Sequence, residues 1–253
     1  MSKFKNYLSV SEVFYSLQGE GSTMGIPSVF LRLAGCNLLC GAIQDKELHG
    51  AATWRCDTIE VWMKGNKKFF NEVLSEEFVD HLKQGAHLVI TGGEPLLQQQ
   101  EILDYLLWFY QRYKFFPFLE IETNATIKPL PYLDIHVNRW NCSPKLSTSG
   151  MLVFRRYKYE VLLEFSRHVG NGSDRFSIFK FVITGQKDWD EIENDYLKTG
   201  LIQDRKKIWL MPAAESRKEL IEINDVVAKI ALEQGVNFST RLQVEIWNRT
   251  TGV

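Results

Sequence analysis

Three cysteines, Cys36, Cys40 and Cys56, open the chemistry of this chain, with fifteen residues between the second and the third. Thiolates select soft metals, either zinc or an iron–sulfur cluster. A structural zinc site is normally closed by four protein ligands, whereas a four-iron cluster held by three cysteines keeps one iron open to an outside ligand. The plain alternative is three small buried hydrophobes, as lone cysteines usually are. The fourth cysteine, Cys142, reads as a buried thiol, with a ligand role as the alternative. A second pattern is Thr91-Gly92-Gly93-Glu94-Pro95, at the end of an apolar run. Paired glycines there let a ligand approach the backbone, and the carboxylate beside them accepts hydrogen bonds from an ammonium group. Without a ligand the same string is a strand-to-helix turn, with Pro95 opening the helix. A third signal is Arg32, a lone guanidinium in an apolar run that demands a carboxylate partner, since burying it unpaired is costly.

These residues need a frame. Short β-branched runs are expected as strands at Ser28 to Leu33, His87 to Thr91, Phe118 to Thr123, Asp134 to Asn138, Ile178 to Ile183 and Lys207 to Met211. Helical patterns lie between them. One opens after Ser75 and stops at Gly85, one carries Ile102, Leu103, Leu106, Leu107 and Tyr110, and one runs from Ser216 to Gln234 with Gly235 behind it. Alternating β and α units give a parallel sheet with helices packed on it, and place the ligand site beyond the carboxyl ends of the strands. No linker or repeat divides the chain, so residues 1–253 are expected to form one domain, with Gly170 to Asp174 as a surface loop.

Composition narrows the function. The 253 residues are 45% hydrophobic and 24% charged, which excludes a disordered or fibrous chain. Thirty Lys and Arg balance thirty-one Asp and Glu, leaving no basic footprint for nucleic acid or anionic lipid. The N-terminal residues lack a signal peptide's apolar run, and no stretch is long enough to span a membrane. A cytoplasmic enzyme acting on a small molecule is expected, with its cysteines reduced.

Three cysteines after one strand and Gly-Gly-Glu-Pro after the next resemble the radical S-adenosylmethionine (SAM) superfamily. Within it, Ser16 to Gly21 (SLQGEG), Phe30 to Cys36 (FLRLAGC), Cys56-Asp57-Thr58, Glu122-Thr123-Asn124 and Ser143-Pro144-Lys145, in that order, are similar to the 7-carboxy-7-deazaguanine synthase family. The likeness is densest from Val13 to Lys145, then thins to Lys180-Phe181-Val182, Leu210-Met211-Pro212 and the segment from Val244 to Val253. It implies a truncated (β/α)6 partial barrel and the rearrangement of 6-carboxy-5,6,7,8-tetrahydropterin to 7-carboxy-7-deazaguanine with loss of ammonia. It also implies a 4Fe-4S cluster, SAM and Mg2+, a flavodoxin-type reductant and a homodimer.

Carried onto this sequence, the resemblance implies Cys36, Cys40 and Cys56 as cluster ligands and the Thr58 hydroxyl as a magnesium ligand. Gly93, Glu94, Ser143, Pro144, Lys145, Met211, Pro212, Ala213 and Ala214 would hold SAM. Leu17, Gln18, Gly19, Glu20, Arg32 and Thr91 would hold the pterin, with Arg32 on its carboxylate and the C-terminal segment 236–253 nearby. The common family spacing puts two residues between the second and third cysteines. Here the stretch 41–55 intervenes, with Thr53 where longer relatives place a cysteine. Two other readings remain open: an activating enzyme for a glycyl-radical protein, and a zinc-stabilised non-catalytic module.

Overall fold

The computed structural model describes residues 5–41, 52–168, 176–250 and 252. Most of the stretch 41–55 and the loop expected at Gly170 to Asp174 lie outside the described residues. Nine strands form one sheet: β1 (Tyr7–Leu17), β2 (Pro27–Leu33), β3 (Asn66–Phe69), β4 (His87–Gly92), β5 (Leu119–Thr123), β6 (Arg139–Cys142), β7 (Phe176–Ile183), β8 (Ile208–Pro212) and β9 (Asn237–Phe238). Their order is β3-β1-β2-β4-β5-β6-β7-β8-β9. From β2 to β9 every neighbour is parallel, while β1 pairs antiparallel with both β2 and β3. Six parallel strands, β2 and β4 to β8, form the frame, and five of them, all but β6, are strands expected from the sequence. They are extended by the two-residue β9 on one side and by the antiparallel pair on the other.

The side-chain period of two explains how the sheet makes a site. On one face Leu31, Leu33, Leu88, Ile90, Leu119, Ile121, Trp140, Phe179, Phe181 and Leu210 join a single core cluster. The helix Gln99–Tyr113 adds Ile102, Leu106 and Phe109 to that cluster, and the helix Arg217–Gln234 adds Val227 and Ile230. The opposite face carries the alternate positions Arg32, Thr91, Glu122, Asn141, Lys180 and Met211, and these line a cavity. The result is an α/β sheet with core-forming helices packed on one face and a polar cavity on the other.

The helix signals act where expected. Ser75 accepts a hydrogen bond from the Phe78 amide, and Ser216 and Glu219 form a capping box. Gly235 closes the helix Arg217–Gln234 in the left-handed region at φ 63°. One expected strand is corrected. Asp134 to Asn138 is not extended, because Pro131 starts a helical turn, Pro131–Asp134, and the strand begins only at Arg139. The Asp134 carboxylate holds the turn in place, accepting the Trp140 indole N–H at 2.7 Å.

Candidate active site

The cavity, of about 620 Å³, opens at the carboxyl ends of the parallel strands and is lined by residues of every strand except β3 and β9. Cys36, Cys40 and Cys56 stand on its wall. They pack into one small apolar cluster with Leu38, Trp54 and Met151, and the Cys56 amide donates to the Cys40 carbonyl at 3.0 Å. Burial pushes the Cys36 thiol up to about 11 and the Cys40 thiol up to about 12. Such thiols are poor free nucleophiles at neutral pH, and a bound cationic centre is what would keep them as thiolates. Among the described residues no three Cys, His, Asp or Glu side chains converge closely enough for a single metal ion. The three thiols on one wall are a donor set for a soft metal centre.

The glycines of Gly92-Gly93-Glu94 do something the sequence does not reveal. A Cβ on Gly93 would fall 2.1 Å from the Gly35 carbonyl oxygen and 2.7 Å from Cys36 Cβ. One on Gly92, at φ 141°, would meet the Leu33 carbonyl oxygen at 2.1 Å. The close approach is made by the chain's own cysteine loop. Glu94 is fully buried and turned away from the cavity wall, accepting hydrogen bonds from Leu96 N (3.0 Å), Thr123 Oγ1 (2.8 Å) and Asn124 N (2.7 Å). Burial raises its pKa, while these donors work in the opposite direction. Its observed work is to tie the ends of β4 and β5 together beside Cys36.

Ser143 and Lys145 line the cavity, the Lys145 ammonium donating to Ser143 Oγ at 2.8 Å, whereas Pro144 does not face it. Met211, Pro212, Ala213 and Ala214 all reach the wall. Thr58 starts the short helix Ile59–Trp62 without a side-chain cap, and its hydroxyl lies 3.5 Å from Cys56 Sγ. The Thr58 hydroxyl is a hard oxygen at the cavity wall, a fit for a cation that keeps most of its waters.

Leu17, Gln18, Gly19, Glu20, Arg32 and Thr91 gather at the same cavity. Arg32, expected to wait for a carboxylate from outside, has an internal one: its Nε donates to Glu12 Oε1 at 2.7 Å across the β1–β2 ladder. Thr91 donates to Glu122 Oε2 at 2.7 Å, and Gln18 Nε2 reaches Glu122 Oε1 at 3.4 Å. Glu20 binds Lys180 Nζ at 2.5 Å, Gln243 Nε2 at 2.7 Å and Arg241 Nε at 3.1 Å. Burial alone would raise its pKa, but Lys180 and Arg241 hold the carboxyl far below the usual carboxylate range. Burial works against the Lys180 ammonium too, yet Glu20 and Glu122 shift its pKa upward.

Sequence reasoning left Glu122, Asn141, Asp57, Lys180, Arg241 and Gln243 without roles. Two of these had a signal. Leu119-Glu120-Ile121-Glu122-Thr123 alternates apolar and acidic residues within a buried strand, the signature of a polar-lined face. Lys180 stands alone among Phe179, Phe181 and Val182, as Arg32 does in its strand. Arg241 and Gln243 come from the C-terminal segment and had no local signal. Arg241 nevertheless joins three parts of the chain, bonding Glu20, the Ala214 carbonyl and Asp57 beside Cys56. Val244, Asn248, Arg249, Thr250 and Gly252 continue that wall.

A polar cavity at the carboxyl ends of parallel strands, with three thiols after the first of them and a Gly-Gly backbone packed against those thiols, defines the layout of a radical SAM enzyme. Comparison with known proteins narrows it. The chain is 31% identical to the 7-carboxy-7-deazaguanine synthase of Pyrobaculum aerophilum over 245 residues, 96% of each chain. It is 31% identical to that of Halobacterium salinarum, covering 95% of this chain and 91% of that one, and 29% identical to that of Aquifex aeolicus over 228 residues. The chain belongs to the 7-carboxy-7-deazaguanine synthase family. The crystal structure of QueE from Escherichia coli shares its fold, with a TM-score of 0.61 at 20% identity over 93% of this chain and 94% of that one. No protein-family model matches the chain. Among the described residues no helix is long and apolar enough to cross a membrane.

Proposed function

We propose that this chain rearranges 6-carboxy-5,6,7,8-tetrahydropterin to 7-carboxy-7-deazaguanine with loss of ammonia. The observation that carries the reading is full-length likeness to named 7-carboxy-7-deazaguanine synthases, with Gln18, Gly19, Glu20, Arg32, the three cysteines, Ser143 and Lys145 lining one cavity. When bound, a 4Fe-4S cluster and SAM would supply the radical chemistry of hydrogen-atom abstraction. Cys36, Cys40 and Cys56 are the residues to hold the cluster. Gly93, Ser143, Lys145 and Met211 to Ala214 are those to hold SAM, and Glu94 positions the strand ends behind them. Thr58 offers its hydroxyl to Mg2+.

The protein's own part is binding, orientation and exclusion of water. Leu17, Gln18, Gly19, Glu20 and Thr91 would face the pterin's donor and acceptor edge, with Arg32 toward its carboxylate. The fixed charges of Glu20, Lys180 and Arg241 pre-organise that wall, so little reordering is left to the moment of reaction. A flavodoxin-type reductant, a homodimer and a cytoplasmic location belong to the same reading. Family membership favours it over the glycyl-radical activating enzyme and the zinc module. The test is to incubate anaerobically reconstituted protein with reductant, SAM, Mg2+ and 6-carboxytetrahydropterin, and to follow products by mass spectrometry. 7-Carboxy-7-deazaguanine and 5′-deoxyadenosine are expected together. 5′-Deoxyadenosine without the deazapurine would overturn the substrate assignment.

A further inference from the structure

Beneath the residues matched by motif lies a polar floor. Glu120 on β5 is fully buried, and its carboxylate is held by side chains: His87 Nδ1 faces its Oε1 at 2.6 Å, while Thr23 Oγ1 (2.9 Å) and Asn141 Nδ2 (2.7 Å) donate to its Oε2. Asn141 on β6 is 2% exposed and lines the cavity, and its Oδ1 has no hydrogen-bond partner among the described residues. An unpaired buried amide oxygen is costly, so a structure that keeps one at a cavity is prepared for a donor from outside. Which end of the amide faces the ligand is not free to vary. Turning Asn141 over would set its carbonyl oxygen against the Glu120 carboxylate, so that carboxylate, anchored from behind by His87 and Thr23, fixes the donor end inward.

Asn141 is also level with Glu122 in the parallel β5–β6 register, so the two side chains share one face of the sheet and present two acceptors at one depth. A heterocycle edge with an exocyclic amine next to a ring N–H is the complementary ligand surface. We infer that Asn141 is a specificity-determining residue whose Oδ1 accepts a hydrogen bond from an N–H on the heterocyclic edge of the substrate, and that Glu120 is the positioning residue that orients it. This deepens the pterin reading and rests on it.

The test is anaerobic calorimetric titration of the reconstituted, SAM-loaded protein with 6-carboxytetrahydropterin, alongside a separate titration with SAM. Binding of the pterin by the unaltered protein tests the reading; only the variants test the inference. Asn141→Leu keeps the side chain's approximate volume and removes the acceptor, so the pterin Kd should rise about tenfold with the SAM Kd unchanged. Glu120→Gln no longer dictates the amide orientation and should weaken pterin binding by less. The double variant should bind like Asn141→Leu alone, because the positioning group acts only through the oxygen already removed. Pterin affinity unchanged in Asn141→Leu overturns the inference. So does a parallel loss of pterin and SAM affinity, which would make Asn141 a general structural residue, and so does an additive loss in the double variant.

Discussion

Replacing Lys180 by Met removes the cation set between Glu20 at 2.5 Å and Glu122 at 3.9 Å. Breaking a buried ion pair by deleting one partner costs about 3–5 kcal/mol, because the other charge stays buried without compensation. Here the loss is softened. Glu20 keeps Arg241 and Gln243, and Glu122 keeps the Thr91 hydroxyl, so the low end, about 3 kcal/mol, is expected for the cluster-free chain. At 2–4 °C per kcal/mol for a chain of this size, the unfolding midpoint should fall by about 6–12 °C in scanning calorimetry. Glu20→Gln in the same background removes the stranded charge, and the double variant should regain more than half of the lost stability. A Lys180→Met protein within about 0.5 kcal/mol of the parent would refute the reasoning, since that is the behaviour of a surface lysine.

Cys36→Ala, Cys40→Ala and Cys56→Ala should each abolish iron and sulfide loading; a variant that retains both along with activity removes that residue from the ligand set. Gly93→Ala places a methyl group against the Gly35 carbonyl and Cys36 Cβ, backbone that cannot yield cheaply. It should destabilise the chain by about 1–3 kcal/mol and lower the iron content, and normal iron content would show that the cysteine loop tolerates the shift. Arg32→Met should reduce pterin turnover while iron and SAM binding stay intact, an idea that unchanged kcat/KM would sink. Glu20 has a folded-state pKa below its unfolded value, so its stabilisation is complete above the unfolded pKa, about 4.3, and drains away as the pH falls toward the folded one. Glu20→Gln should therefore flatten the acid limb of the stability curve measured by urea titration, and an identical limb would assign the acid loss to other carboxylates.

The frame was readable because periodicity reports it. Apolar alternation located five of the six expected strands, and the failure at Asp134 to Asn138 came from Val137 and Ile135 imitating a strand after a proline that starts a helical turn. The site was readable at residues whose type is costly or rare in its surroundings: cysteines, paired glycines and a guanidinium in an apolar strand. Roles were harder. Gly93 and Glu94 read as ligand contacts, and nothing in the sequence shows that the glycine is also hemmed in by the Gly35 carbonyl or that the carboxylate accepts from three internal donors. Nothing local marks Arg241, because its importance lies in touching Glu20 and Asp57, residues distant along the chain.

The internal partner of Arg32 bears on how an anionic ligand would bind. An arginine left bare in a cavity would pay for its desolvation until substrate arrived, and Glu12 removes that cost. The carboxylate approaches through Nε, from the neighbouring strand, with Arg32 also lying 5.8 Å from the centre of the Phe14 ring. A guanidinium has five donors in a fixed fork, so occupation of Nε still leaves the outer pair of nitrogens for a second, bidentate carboxylate. Glu12 and a substrate carboxylate are thus not exclusive. With Glu12 locking the plane of the fork, the outer edge keeps one direction, and Glu12→Gln should weaken pterin binding without removing any group that touches the pterin.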